Sequence, residues 1–396
     1  MIYLAVLLSL LQGIGLRGAK ILVSLSALAA GASPFQVGLL GAMFAAFPLF
    51  LAVYAGKVSD RLGVRRPMLG GAITMTVALV SPLAIPGLWG LVVCSGLSGL
   101  GHIFFHVSVH NLIGAYGKGE ARTRNFGTFS LGQSTSAFIG PSLAGFLIDG
   151  AGFRVTYLVL GAVALVPAVV LGCYPALVPP RAPYAAPESS GGSLSMLGDR
   201  ELRRTLIMSG VTLTGIELFG FYFPVYGRLI GLSASAIGMV MSSYAAAAFL
   251  VRLGMHRAAR ALGDAGVLTA SLFVAGATYL LVPLVSQPLL LALVGFLLGI
   301  GLGCAQPLTI LLTYNHAPVG RSGEALGMRL MVNKLTQIAV PLIFGGLGSA
   351  FGLLPVFWAD GAFLLAGGLM SLAERRVPER RTGEGVAIAR GQSEDA

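Results

Sequence analysis

Long apolar stretches separated by short polar segments run through most of the chain. The first covers residues 2–30, and each stretch has the ~20 residues that a helix needs to cross a bilayer. The others cover residues 35–55, 67–88, 89–115, 124–149, 154–175, 204–226, 233–254, 264–284, 288–315, 325–349 and 353–373. The runs are continuous and do not alternate with polar residues, which favours helices over the strands of a membrane barrel. The pattern therefore predicts an all-α membrane protein with twelve transmembrane helices.

A polar segment divides the predicted helices into two sets of six. It is rich in proline between positions 179 and 187 and in serine and glycine between 189 and 193, a composition typical of a linker. We therefore predict four regions along the chain. These are an N-terminal six-helix bundle over 1–175, a cytoplasmic linker over 176–203, a C-terminal six-helix bundle over 204–376, and a cytoplasmic tail over 377–396.

The two halves share one sequence register at a constant separation of 200 residues. The matched pairs are Gly15 and Gly215, Gly31 and Gly231, Ser33 and Ser233, Gly38 and Gly238, Leu62-Gly63 and Leu262-Gly263, Gly99 and Gly299, Gly101 and Gly301, Gly127 and Gly327, Pro141 and Pro341, Gly145 and Gly345, and Gly152 and Gly352. Such a register predicts parallel repeats, an architecture in which two halves rock about a site near the membrane midplane.

The composition supports a membrane protein and excludes a nucleic-acid partner. Only 10% of the residues are charged, against about 25% in soluble domains, and the mean hydropathy is +0.85. The net charge of +11 falls mainly in alternate loops and the tail, which predicts that both termini are cytoplasmic. The residues in these loops are Lys57, Arg61, Arg65, Arg66, Lys118, Arg122, Arg124, Arg181, Arg200, Arg203, Arg204, Arg252, Arg257, Arg260, Arg321 and five arginines from Arg375 to Arg390. We expect a monomer whose partners are membrane lipid and a small molecule.

The three cysteines suggest neither a disulfide framework nor a metal site. Cys94, Cys173 and Cys304 lie within predicted spans and lack the spacing of metal ligands. The sequence also offers no nucleophile–base pair, no H-E-x-x-H motif and no P-loop. We therefore expect no enzyme activity, no bound cofactor and no direct use of ATP.

The segment between the second and third spans, Gly56–Arg66, concentrates five charges in what the hydropathy pattern predicts to be a tight loop. Its order, G-x-x-x-D-R-x-G-x-R-R, closely resembles the loop between spans two and three of major facilitator superfamily transporters. The resemblance implies a gating role for a set of residues here. The set is Gly56, Asp60, Arg61, Gly63, Arg65 and Arg66. The second copy has decayed, because Arg260 stands where the repeat would place the aspartate.

Span five carries a second resemblance to the same superfamily. Its antiporter-associated pattern is G-x8-G-x3-G-P-x2-G-G, and this chain retains part of it. The retained residues are Gly127, Gly140, Pro141 and Gly145, with Ser136 and Ala144 in place of two glycines. The resemblance implies an antiporter of drugs or metabolites with protons, although ordinary close packing of helices explains the same small residues. Ser95 stands where proton-coupled members often carry an arginine, so a relay through that position is not supported.

Ionisable side chains at bilayer depth are costly and usually face the protein interior. By the resemblance, spans one, four, seven and ten line a central cavity. The candidate cavity residues on them are Arg17, Lys20, His102, His106, Gln306 and Thr309. Glu217 is the candidate for proton coupling because Asp149 and Asp360 are expected to cap helices or meet solvent. Since Arg17 and Glu217 are related by the repeat, we expect them to pair across the cavity in one state and to separate in another. The alternative is a fixed structural ion pair, or pairing of each residue elsewhere in the bundle.

The excess of basic residues in this predicted cavity favours anionic or zwitterionic organic molecules. The resemblance implies a secondary active transporter of the inner membrane that uses the proton gradient and alternating access. We predict proton-coupled efflux of a small organic molecule. Two alternatives remain: a proton-symport importer of organic acids, and a membrane sensor that transports nothing.

Overall fold

The architecture was analysed in a computed structural model that describes residues 2–115, 120–174, 198–317 and 322–375. The described residues fold into helices joined by short turns. The helices are α1 (Ile2–Ala29), α2 (Pro34–Leu62), α3 (Arg65–Ala84), α4 (Leu88–Ala115), α5 (Glu120–Cys173), α6 (Arg200–Leu229), α7 (Ala234–Leu262), α8 (Asp264–Leu281), α9 (Pro288–Gly303), α10 (Ala305–Asn315), α11 (Ser322–Phe351) and α12 (Leu353–Arg375). The all-α prediction is confirmed.

Two of the predicted spans are continuous in the structure, and one is broken. α5 contains spans five and six, because the chain turns at Gly152, with φ of 79°, and resumes helical structure at once. Span ten consists of α9 followed by α10, with a break at Cys304. With these two adjustments the described helices give the twelve predicted spans, arranged as two sets of six.

The backbone repeats the register found in the sequence. Ser33 and Ser233 each accept a hydrogen bond from the first turn of the helix that follows, α2 and α7 respectively. Glycines with positive φ, a region that costs other residues energy, also recur 200 residues apart. They are Gly31 (81°) with Gly231 (83°), Gly63 (79°) with Gly263 (73°), and Gly152 (79°) with Gly352 (83°). The repeat therefore extends from the amino-acid pattern to the turns.

The predicted loop of the gating motif is mostly helical, which corrects the sequence interpretation. α2 continues to Leu62, so the charged residues from Lys57 to Arg61 form its last turns. Only Gly63 and Val64 separate α2 from α3. Hydropathy marks where the chain leaves the apolar layer, and a helix of polar residues extends beyond that level. The side chain of Asp60 lies outside the described part of the chain.

Arg65 of the same motif connects α3 to the end of α5. Its Nε donates a hydrogen bond to the carbonyl oxygen of Leu171 at 2.8 Å, and Nη2 donates to that of Gly172 at 3.2 Å. These carbonyls belong to the last turn of a helix, where a cation is favourable and the free acceptors need donors. Arg65 therefore ties two helices of the N-terminal half together.

The two halves meet along two seams, α5 against α7 and α2 against α11. Near the beginning of α2 and α7, glycines of one half lie against the backbone of the other. A Cβ at Gly38 would overlap the carbonyl oxygen of Pro341, and one at Gly238 would come within 2.6 Å of that of Pro141. We call this the sealed end of the interface. Gly145 faces Ala234 there in the same way.

At the opposite end of the interface, the described glycines make no such contacts. Ideal Cβ atoms built on Gly56, Gly127, Gly254 and Gly327 find no neighbouring atom of the described structure within 4 Å, leaving aside each helix's own backbone. These glycines lie on the same four helices that form the seams, towards their other ends. Among the described residues, the close backbone contacts between the halves therefore lie at the sealed end, and we call the opposite end the open end.

Candidate functional site

A cavity of about 260 Å³ lies between the two halves, on the open side of the α5–α7 seam. Its lining includes the apolar and aromatic side chains of Phe219, Met241 and Tyr244. It also includes four charged groups, which are Arg17, Lys20, Glu217 and Arg252. A concave site with an apolar wall and a few converging polar groups is the usual form of a small-molecule site.

Lys20 and Glu217 form an ion pair across the cavity. The Nζ of Lys20 on α1 lies 3.3 Å from the Oε2 of Glu217 on α6, so the pair joins the two halves. Only 8% of the Glu217 side chain and 26% of the Lys20 side chain are exposed. The same Nζ lies 4.7 Å from the ring centroid of Phe221, an additional cation–π contact. Removing one partner would leave the other charge buried without compensation, which is strongly unfavourable.

In this structure Glu217 pairs with Lys20, and Arg17 pairs elsewhere in the bundle. Nη1 of Arg17 donates instead to Ser136 Oγ at 2.9 Å and to Gln133 Oε1 at 3.4 Å, both on α5. Arg17 and Lys20 share one face of α1, but Lys20 lies almost one turn further along, where α6 passes. Ser136 occupies a glycine position of the antiporter-associated pattern, and its hydroxyl supplies the acceptor.

A second, smaller cavity of about 110 Å³ lies on the other side of the ion pair. Lys20 and Glu217 border both cavities. Lys334 of α11 lines the smaller one and donates a hydrogen bond to Gln337 Oε1 at 2.9 Å. The Lys20–Glu217 pair therefore lies between the two cavities. Arg17 and Arg252 border the larger cavity, and Lys334 borders the smaller one.

The three histidines of α4 form a stack that reaches the site at one end only. His102 lines the smaller cavity, together with Phe44 and Phe221. The ring of His106 lies 4.9 Å from that of His102 and 4.2 Å from that of His110, measured between centroids. The middle ring, His106, and the outer ring of His110 both pack against Phe129 of α5. His106, which we predicted to face the cavity, lines neither of the two cavities.

The two predicted residues of span ten have different positions. Gln306 lines the larger cavity, whereas Thr309 is completely buried and accepts a hydrogen bond from Arg329 Nη2 at 2.8 Å. Thr309 is thus withdrawn as a cavity residue. Arg329 of α11 also donates to Gln306 Oε1 at 2.6 Å. Because a guanidinium only donates, the amide atom of Gln306 that faces Arg329 must be the oxygen. The amide nitrogen, Nε2, has no hydrogen-bond partner in the described structure.

Arg252 is a site residue that the sequence interpretation placed in a cytoplasmic loop. It belongs to α7 and lines the larger cavity. Its Nε donates to the carbonyl oxygen of Gly303 at 2.8 Å, and Nη1 donates to Ser134 Oγ of α5 at 3.3 Å. The available signal was its position two residues inside the end of the predicted span 233–254, where an arginine is costly unless it faces a polar interior.

Asp149 and Asp360, which we expected to behave alike, differ in the structure. Asp149 caps a helix as predicted: its carboxylate accepts from the backbone N–H groups of Ala234 at 3.0 Å and Ser235 at 2.6 Å. Asp360 is completely buried, and neither of its oxygens has a hydrogen-bond partner among the described residues. Glu217 is therefore not alone as a carboxyl inside a span, although it is the one that lines the cavity.

The antiporter-like stretch of α5 contacts both α1 and the opposite half. A Cβ at Gly140 would lie 3.1 Å from the carbonyl oxygen of Ile14, so this glycine allows α1 to approach. Pro141 and Gly145 lie at the sealed end, against Gly238 and Ala234 of α7 respectively. Gly127 has open surroundings. The small residues thus serve close packing, both within the half and across the seam.

Two six-helix sets around a charged cavity define a class of protein, the membrane transporters with one site between two halves. A sequence profile described as Major Facilitator Superfamily matches residues 5–251 and, in a second match, 205–391. The chain belongs to the Major Facilitator Superfamily, and it is an integral membrane transporter and not an enzyme.

Its relatives by sequence include named efflux proteins. The chain is 22% identical over 325 residues to the multi-drug resistance efflux pump PmrA of Streptococcus pneumoniae, and the match covers 81% of each chain. It is 25% identical over 354 residues to the multidrug resistance protein MdtG of Klebsiella pneumoniae, covering 85% of this chain and 84% of the relative.

Solved structures share the fold at low sequence identity. A bacterial homologue of the human lysosomal transporter Spinster, in an inward-facing and unoccupied conformation, matches with a TM-score of 0.78 and 15% identity over 94% of this chain and 96% of its own. A mutant of the peptide transporter POT in complex with sulfate matches with a TM-score of 0.77 and 14% identity over 94% of each chain.

Proposed function

We propose that this protein exports a small organic anion or zwitterion from the cytoplasm across the inner membrane, by alternating access coupled to proton entry. The observation that carries the proposal is the Lys20–Glu217 ion pair, which joins the two halves at the wall of the cavity. Further cationic groups border the two cavities, namely Arg17, Arg252 and Lys334. A site with this balance of charge favours ligands with a negative group.

Glu217 is the proposed proton carrier. In its ionised form it attracts Lys20 and holds α6 to α1; in its protonated form it loses most of that attraction. The two protonation states of Glu217 therefore favour different separations of the halves, which is the requirement for coupling a proton to a conformational change. The proton gradient is the proposed driving force, and no bound cofactor takes part in the mechanism.

The direction of transport rests on the orientation in the membrane. If both termini are cytoplasmic, as the positive-inside pattern predicts, the sealed end faces outward and the open end faces the cytoplasm. The cavity is then ready to receive a molecule from inside the cell. The efflux relatives, PmrA and MdtG, support the same direction.

Two other functions use the same observations. An importer of organic acids by proton symport would employ the same cavity and the same carboxyl, and it differs only in the sign of the flux relative to the proton gradient. A non-transporting sensor would bind a ligand in the cavity and would show no net flux.

The test uses the purified protein in liposomes of one orientation, loaded with a panel of labelled organic anions, cations and neutral compounds. We expect anions to move against their concentration when protons flow in the opposite direction, and to stop moving when the pH gradient is collapsed. Movement of anions in the same direction as protons would favour the importer. The absence of any proton-dependent flux across the panel would contradict the proposal.

A further inference from the structure

Two arginines border the larger cavity from opposite halves of the protein. Arg17 lies on α1 of the N-terminal half, and Arg252 lies on α7 of the C-terminal half. Both are partly exposed to the cavity, and they are close enough to influence each other electrostatically. They thus place two guanidinium groups on one small site.

Neither arginine forms an ion pair with a carboxylate of the described residues, although Glu217 attracts Arg17 at longer range. Arg17 donates only to Ser136 and Gln133, and Arg252 donates only to Ser134 and the carbonyl oxygen of Gly303, in the part of the chain that the structure describes. Lys20, rather than either arginine, takes the carboxylate of Glu217. Since all these acceptors are neutral and the medium is less polarisable than water, the two positive charges repel each other across the cavity.

The same wall has unused hydrogen-bond donors. A guanidinium has five N–H groups, and the observed bonds of Arg17 come from one nitrogen and those of Arg252 from two. Among the described residues the Nε2 of Gln306 also lacks a partner, but this atom is buried. The Oε1 of Gln306 accepts from Arg329 Nη2 at 2.6 Å. The donors available at the cavity are therefore those of Arg17 on α1 and Arg252 on α7.

From this geometry we infer that Arg17 and Arg252 together bind the acidic group of the transported molecule, one cation from each half. The acidic group is a carboxylate or a phosphate, both of which match the planar fork of an arginine. The apolar body of the molecule lies against Phe219, Met241 and Tyr244. This inference rests on the proposed transport of anions and specifies the residues that recognise the charge.

Binding of an anion between the two arginines also affects the transport cycle. In the empty cavity, repulsion between Arg17 and Arg252 opposes the approach of the two halves at the open end. An acidic group placed between them replaces repulsion by two attractive contacts, one with each half. The loaded protein closes the open end more readily than the empty protein, so the anion itself enables the step that carries it across.

The first measurement compares ligands that differ only in charge. Benzoate and phenyl phosphate are the anionic probes, and benzamide is the neutral probe of the same shape; binding to the purified protein is followed by the shift in Tm. We expect the anions to stabilise the protein and benzamide to have little effect. Arg17→Gln and Arg252→Gln should each weaken anion binding at least tenfold. The matched control is Arg257→Gln, an exposed arginine further along α7, which should bind anions normally.

The second measurement separates recognition from a merely structural role of the arginines. Spin labels at Leu62 and Leu262, exposed residues at the ends of α2 and α7, report the width of the open end. We expect benzoate to shorten this distance in the otherwise unmodified protein but not in Arg252→Gln. Arginines that only brace α5 would give variants with a lower Tm and an unchanged ratio of benzoate to benzamide affinity.

Three outcomes would overturn the inference. The protein could bind benzamide as well as the anions, or both arginine variants could keep the preference for anions. The third outcome is a distance between the labels at Leu62 and Leu262 that does not change when benzoate binds. These outcomes differ from a failure of the proposed function. If the liposomes show no proton-dependent flux while anion binding depends on both arginines, the anion site stands and the transport cycle is wrong. If flux is present but the arginine variants keep full anion selectivity, the transporter stands and this site is wrong.

Discussion

The two ends of the interface between the halves use the same kind of residue in opposite ways. At the sealed end, Gly38 and Gly238 allow a helix of one half to touch the backbone of the other. At the open end, Gly127 of α5 and Gly254 of α7 have no neighbouring atom within 4 Å of an added Cβ. A contact formed between bare backbones depends on few specific side chains, so it can form at one end while the other opens.

The two seams of the sealed end are related by the repeat, but different side chains stabilise them. Asp149 accepts two backbone N–H groups at the start of α7. Ser349, the residue 200 positions later, accepts one, from Phe35 at the start of α2 and at 2.9 Å. A carboxylate at a helix N-terminus is more strongly attracted than a hydroxyl. The α5–α7 seam should therefore be the stronger of the two.

The largest expected effect comes from filling the sealed end. Gly38→Leu places a side chain where the carbonyl oxygen of Pro341 and the hydroxyl of Tyr222 lie, so the seam cannot close. We expect transport to be abolished and spin labels at the exposed residues Ala29 and Leu229 to move apart. The matched variant is Gly254→Leu at the open end, which should leave this distance unchanged. Equal distances in the two variants would show that the difference between the ends is not real.

The gating motif should matter for closing the open end. Asp60 belongs to the last turns of α2 and is followed in the sequence by Arg61, Arg65 and Arg66. We expect these charges to form a network that stabilises one of two states. We expect Asp60→Asn to cut transport strongly while benzoate binding in detergent stays near normal. Arg260→Gln, at the decayed second copy, is the control and should transport almost normally. Full transport by Asp60→Asn would contradict a gating role for this motif.

The carboxylate cap of α7 should have a moderate effect. Loss of a helix-capping side chain costs about 1 kcal/mol, or roughly a fivefold change in an equilibrium constant. Asp149→Ala should therefore shift the protein towards the state with the sealed end open, by about that factor. Double electron–electron resonance between labels at Ala29 and Leu229 measures the two populations. An unchanged ratio would mean that the cap does not hold the seam.

The hydroxyl cap of α2 should have the smallest effect. Ser349→Ala removes one hydrogen bond to a neutral acceptor, and a loss of about 0.5 kcal/mol changes the equilibrium roughly twofold. The same labels measure it, and the comparison with Asp149→Ala ranks the two seams. A larger shift for Ser349→Ala than for Asp149→Ala would reverse the ranking that the contacts suggest.

The helices and the repeat could be predicted from the sequence, whereas the partners inside the site could not. Apolar runs determine which segments lie in the membrane, and paired turns at Gly31 and Gly231 follow from glycine's freedom at positive φ. The 3.6-residue period also places Arg17 and Lys20 on one face of α1. The period does not indicate which neighbouring helix packs against each of these residues. Glu217 meets Lys20 because of the depth at which α6 crosses α1, a property of the packed bundle.

Three further differences have the same origin. Arg252 was assigned to a loop because charge was counted near a span end, whereas the helix carries it to the cavity. Thr309 shares a face of α10 with Gln306, but Arg329 of α11 covers it. Asp360 was expected near solvent from its distance to the end of its span, yet its neighbours bury it completely. Each depends on how helices from distant parts of the chain are rotated against one another.

The central claim is that Glu217, ionised and paired with Lys20, favours the state with one end sealed and the other open. The most direct measurement is of both ends in Glu217→Gln, which imitates the protonated carboxyl. Labels at Ala29 and Leu229 report the sealed end, and labels at Leu62 and Leu262 report the open end. We predict that the first distance lengthens and the second shortens relative to the protein with Glu217. Two unchanged distances, or two that lengthen together, would contradict the coupling of this pair to alternating access.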